Sequence, residues 1–155
     1  MCFVDADTKV VFIDDKYRFN IFDVASGRLV KRVRLNSYIG AGCKSLDGSM
    51  LCLCFDWKKT IEIFDTKTWK SRGRIKQTIE AWCMRISPDA SVLAVGNVNG
   101  VNLWSLPDGK LLWELPDLKG CLNNLAFSPD GCVLCVGSGN RIHMLMLRYE
   151  LIPEV

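Results

Sequence analysis

Asn123 to Leu147, NNLAFSPDGCVLCVGSGNRIHMLML, is the stretch that sets the fold. An apolar strand ends at Phe127, and Ser128-Pro129-Asp130-Gly131 turns the chain. Cys132 to Val136 runs back, Gly137-Ser138-Gly139-Asn140 turns again, and Arg141 to Leu147 makes a third strand. Gly and Asn supply positive φ in such turns, and Pro sets the first corner.

The block recurs. Asp130 has counterparts at Asp89, Asp47 and Asp7, at gaps of 41, 42 and 40 residues. SPDG aligns with SPDA (87–90), SLDG (45–48) and the weaker DADT (5–8). The third strand repeats independently as FNIFD (19–23), IEIFD (61–65), VNLWS (101–105) and IHMLM (142–146), at steps of 42, 40 and 41. Two separate markers in phase exclude coincidence. A period of about 40–45 residues with four strands per unit is the signature of a propeller blade.

The repeats resemble those of WD-repeat proteins over nearly the whole chain. The dipeptide that names that family stands here as Phe22-Asp23, Phe64-Asp65 and Trp104-Ser105, and as Leu145-Met146 in the last copy. The family's Gly-His dipeptide stands in none of the copies. The turn Asp108-Gly109-Lys110-Leu111-Leu112-Trp113 also resembles quinoprotein-type propeller repeats, so a fragment of such an enzyme is a weaker alternative. The expected fold is all-β: four-stranded antiparallel blades near residues 1–38, 39–79, 80–119 and 120–155, a partial or small propeller. Within the fourth, Tyr149 to Val155 is left for a last strand, which Pro153 confines to an edge. Each blade needs a neighbour on both sides. Either the ring closes at four, or the end blades present apolar flanks to the rest of a longer propeller, a second copy or a partner.

Composition sets the class. The chain has 155 residues, 49% of them hydrophobic, and a formal net charge of +3. Residues 1–80 carry 15 basic and 10 acidic side chains; residues 81–155 carry 5 and 7. No apolar run approaches the ~18 residues a membrane-spanning helix needs. Asp5, Asp7 and Lys9 interrupt the start, so no signal peptide is expected. Eight cysteines are then expected to be reduced thiols, in the cytoplasm or nucleus. Cys132 and Cys135 have CxxC spacing, but on a strand such residues point to opposite faces, and no second pair completes a metal site.

No nucleophile elbow, phosphate cradle or ligand cluster stands in the chain, so no catalysis, metal or cofactor is expected. The one histidine, His143, shares its position with Asn20, Glu62 and Asn102, a polar slot on the less buried side of an apolar strand. Partner proteins are expected instead. By the resemblance they bind the loops between second and third strands and those leading into first strands. These hold Tyr38, Asp56, Trp57, Lys58, Asn97, Asn99, Leu118 and Lys119. Trp57 stands out as an aromatic anchor in a polar loop, whereas Trp82, Trp104 and Trp113 lie on strands and are expected to pack. The alternative is nucleic acid or anionic lipid on the basic outer strands, through Arg32, Arg34, Arg72 and Arg74. Lys and Arg also protect exposed sheet edges, and Trp69 is the only aromatic near these strands, so the edge role is favoured.

Overall fold

The computed structural model describes residues 1–34, 37–55, 59–116, 118 and 122–147, with the backbone alone at residue 123. Every regular element among them is a strand. The first sheet holds β1 (Cys2–Val4), β2 (Lys9–Ile13), β3 (Arg18–Asp23) and β4 (Leu29–Arg34). The second holds β5 (Ile39–Lys44), β6 (Met50–Phe55), β7 (Thr60–Asp65) and β8 (Ser71–Lys76). The third holds β9 (Cys83–Ile86), β10 (Val92–Asn97), β11 (Gly100–Ser105) and β12 (Leu111–Pro116). The fourth holds β13 (Leu122–Phe127), β14 (Val133–Ser138) and β15 (Arg141–Met146). Strands pair in chain order, antiparallel throughout. The last strand expected at Tyr149–Val155 lies outside the described residues.

The repeated Ser-x-Asp turn builds one geometry three times. Ser45, Ser87 and Ser128 each donate an Oγ hydrogen to Asp47, Asp89 and Asp130, at 2.6, 2.5 and 2.5 Å. Each Oγ accepts the main-chain N–H of Met50, Val92 or Val133, at 2.9 Å in every copy. The first sheet turns differently. Asp5, Ala6 and Asp7 all have positive φ, and the Thr8 hydroxyl donates to the Asp5 carbonyl at 2.7 Å. That turn also joins two sheets, since Asp5 N–H donates to the Gly48 carbonyl at 2.9 Å. Gly48 has φ +70°, and a Cβ there would sit 3.0 Å from the Asp5 nitrogen.

Alternating faces of each sheet supply three cores. Val4, Phe19 and Ile21 meet Leu51, Leu53 and Phe55 between the first and second sheets. Cys52, Ile61 and Ile63 meet Met84, Leu93 and Val95 between the second and third. Ala94, Val101 and Leu103 meet Leu125, Leu134 and Val136 between the third and fourth. Inner strand β5 lies beside β9, and β9 beside β13, so the sheets stand side by side like blades. No core joins the first sheet to the fourth among the described residues, and the row is open.

Trp69 lies in the turn after β7, with φ +59°, and not on the outer strand itself. Its main-chain N–H donates to the Asp65 carbonyl at 2.7 Å. Its ring meets Phe19 edge-on at 5.3 Å, which turns it into the first core and away from the basic edge.

Candidate partner-binding face

Antiparallel order sends successive loops to opposite edges of a sheet. The β2–β3, β10–β11 and β14–β15 hairpins therefore share one edge with the connections from one sheet to the next. Of the residues expected to meet partners, Tyr38, Asn97, Asn99 and Leu118 are described there. Asp56, Trp57, Lys58 and Lys119 lie outside the described residues. Leu118 is half-buried and packs on the core between the third and fourth sheets.

Tyr38 is exposed and borders a cleft of about 420 Å³ between the first two sheets, with Ile13, Asp14, Asp15, Tyr17 and Ile39. The Tyr17 and Tyr38 rings meet edge-on at 6.2 Å. Asp14 shapes this hairpin. Its carboxylate accepts the N–H groups of Lys16 and Arg18 at 3.0 and 2.9 Å, Arg18 Nε at 2.7 Å and Asn20 Nδ2 at 3.2 Å. Desolvation pushes its pKa up, but these hydrogen bonds, led by the Arg18 N–H, outweigh it and hold the carboxyl well below the usual range.

A second cleft, of about 360 Å³, runs between the second and third sheets. Asn97 and Asn99 border it, as do Gln77, Asn102, Trp104 and Glu114. Asn97 is buried and its Oδ1 accepts the Asn99 N–H at 2.8 Å, which shapes the hairpin. The next residue must be glycine: Gly100 has φ +139°, and a Cβ would fall 1.9 Å from the Leu115 carbonyl oxygen. Gln77 N–H donates to the Lys59 carbonyl at 2.7 Å and pins the connecting loop. Asn102 Nδ2 donates to Glu114 Oε1 at 3.3 Å.

Two donors in this cleft stand apart. The Trp104 indole N–H and the Gln77 side-chain amide nitrogen are both buried, and neither meets an acceptor among the described residues. Buried donors without partners are uncommon. Both residues line the cleft, so a rotation of either side chain would bring its N–H to an acceptor from outside. Sequence reasoning assigned Trp104 to packing alone. The ring does pack beside the core of the second and third sheets, and it lines the cleft as well. Gln77, Asn102 and Glu114 were not singled out as binding residues, because only the placement of two neighbouring sheets brings them together.

On the outer edge, the basic strands are largely occupied. Arg32 Nε donates to Asn20 Oδ1 at 2.6 Å, and Arg74 Nη2 donates to Glu62 Oε1 at 3.0 Å. Arg72 donates to Asp65 through Nε at 3.0 Å and through Nη2. Arg34 is exposed and stands across the ladder from Arg18. The polar slot of the third strands is thus a cross-strand partner for the fourth: Asn20 with Arg32, Glu62 with Arg74, Asn102 with Glu114. Asn20 is buried, unlike the half-exposed position its sequence pattern implies. Among the described residues, no group of three or more His, Cys, Asp or Glu is placed to hold a metal ion.

No family model matches the chain. Over 61 residues it is 36% identical to the Periodic tryptophan protein 2 homolog of Neurospora crassa, covering 38% of this chain and 7% of that protein. Over 100 residues it is 26% identical to small ribosomal subunit protein RACK1y of Oryza sativa subsp. japonica, covering 63% of this chain and 30% of that one. The chain thus spans less than a third of either curated relative. Among solved structures, a chain of Kuenenia stuttgartiensis hydrazine synthase matches with TM-score 0.75 over 93% of this chain and 44% of its own, at 14% identity, a likeness of fold alone. With the repeat and the row of sheets, the chain is similar to WD-repeat proteins and folds as a divergent, open set of β-propeller blades.

Proposed function

We propose that the chain is a non-catalytic protein-interaction scaffold that holds an extended segment of a partner protein in the cleft between its second and third sheets. The pair of buried, unpartnered donors, Trp104 Nε1 and Gln77 Nε2, carries this assignment. Main-chain carbonyls of a partner segment would satisfy them, and Asn99 and Glu114 border the same space. WD-repeat relatives support a scaffold role in general. The setting proposed is intracellular, cytoplasm or nucleus, and the bare ends of the row receive further blades. Polyanion binding by the outer strands finds less support, since Arg32, Arg72 and Arg74 already have acceptors.

Trp104→Phe tests the assignment, because it keeps the ring and removes the N–H. Proteins captured by the wild-type chain should be retained by Asp108→Ala, in a turn at the opposite edge, and lost or weakened by Trp104→Phe. The expected loss in affinity is about 5- to 10-fold, one hydrogen bond. Equal capture by all three chains would contradict it.

A further inference from the structure

The repeat allows each face to be compared with its own copies. Ile21, Ile63, Leu103 and Met144 take the same ladder position, opposite Val11, Cys52, Ala94 and Cys135. The first three are buried against the next sheet, whereas Met144 is 69% exposed. Phe19, Ile61 and Val101 are likewise buried, whereas their counterpart Ile142 is 78% exposed. Met146 adds a third bare side chain on that face, at 70%. The opposite end behaves the same way. Leu51, Leu93 and Leu134 are buried, but their counterpart Val10 is only half-buried. Beside it across the ladder stand Phe3, 49% exposed, and Phe22, whose ring stacks on Phe12 at 5.5 Å. Both ends therefore keep the composition of a blade interface.

We propose that a second copy of this chain covers them, head to tail: the fourth sheet of each copy packs on the first sheet of the other, closing a ring of two chains. This rests on the proposal that the ends receive further blades, and it names the source. Three features favour a second copy. The junction would continue the three interfaces already inside the chain, with matching strand order. The two halves of the chain carry opposite net charge, since residues 1–80 carry five more basic than acidic side chains and residues 81–155 two fewer. The faces also match chemically. Met144 and Met146, flexible and polarizable, would meet Phe3, Phe12 and Phe22, and sulfur–aromatic contact is favourable. A head-to-tail pair that closes leaves neither apolar face bare, as cyclic symmetry requires.

The test is the mass of the full chain in solution by light scattering, for wild type, Met144→Glu and Phe3→Glu. Both positions are exposed in the single chain, so both variants fold. Wild type should weigh twice the 17.5 kDa of one chain, and each variant alone should weigh 17.5 kDa. An equimolar mixture of the two variants should recover a dimer, because one intact junction remains between an unaltered fourth sheet and an unaltered first sheet. A wild-type dimer that Phe3→Glu leaves intact would overturn head-to-tail pairing. So would a monomeric wild type. If that monomer binds a hydrophobic dye and Met144→Glu abolishes the signal, the ends still seek a blade from another chain; if it binds none, the completion of the ends fails with the dimer.

Discussion

Ser87 shows how much one hydroxyl holds. It is buried, accepts the Val92 N–H at 2.9 Å, and donates to Asp89 at 2.5 Å. Ser87→Ala leaves that amide without its acceptor, and should cost about 1–3 kcal/mol in urea unfolding. The carboxylates of these turns make a second prediction. The Ser45 hydroxyl and the Ser49 N–H hold Asp47 below the usual carboxylate range. The Ser128 hydroxyl and the Cys132 N–H do the same for Asp130. The folded chain then binds fewer protons than the unfolded one near and below pH ~4. Their stabilisation is complete above that pH and is lost as pH falls through the lowered folded values. The urea midpoint should drop between pH 5 and pH 3, and Asp47→Asn should flatten the drop; an equal slope in the variant would contradict the linkage. The Ser-x-Asp spacing was readable because all its hydrogen bonds are local. The Asn20–Arg32 and Glu62–Arg74 pairs were not, because they depend on which residues face each other across a ladder.

That ladder belongs to the element scale. Register shifts between Ile21 and Phe22, between Ile63 and Phe64, and between Leu103 and Trp104. A bulge thus recurs at the same place in three sheets. It sets which fourth-strand residue meets the polar slot, and one extra residue is enough to change the partner. Strand positions followed from alternating apolar residues and turn residues; bulges carry no such pattern. The cleft needs two sheets at once, so Gln77 and Trp104 could not be paired from the chain. Ile63, fully buried between the second and third sheets, should cost about 2–5 kcal/mol as Ile63→Ala, read by urea unfolding. Glu62→Ala, next to it but facing the exposed Arg74, should cost far less; equal losses would mean the face assignment is wrong.

At the scale of the molecule, number and order of sheets were legible, since the period counts them. Closure was not. It depends on the rotation between neighbouring sheets, which side-chain packing sets, and on what covers Met144 and Phe3. The open row also explains why the ladder positions buried in the three interior cores are exposed on the fourth sheet and only half-buried on the first. The most direct measurement is methyl-to-methyl nuclear Overhauser contact in the selectively labelled chain. Contacts should link Val4 and Ile21 with Leu51 and Leu53, Ile61 and Ile63 with Leu93 and Val95, and Val101 and Leu103 with Leu134 and Val136. Contacts joining the methyls of the first sheet to those of the third, or missing between neighbours, would contradict a side-by-side row of blades.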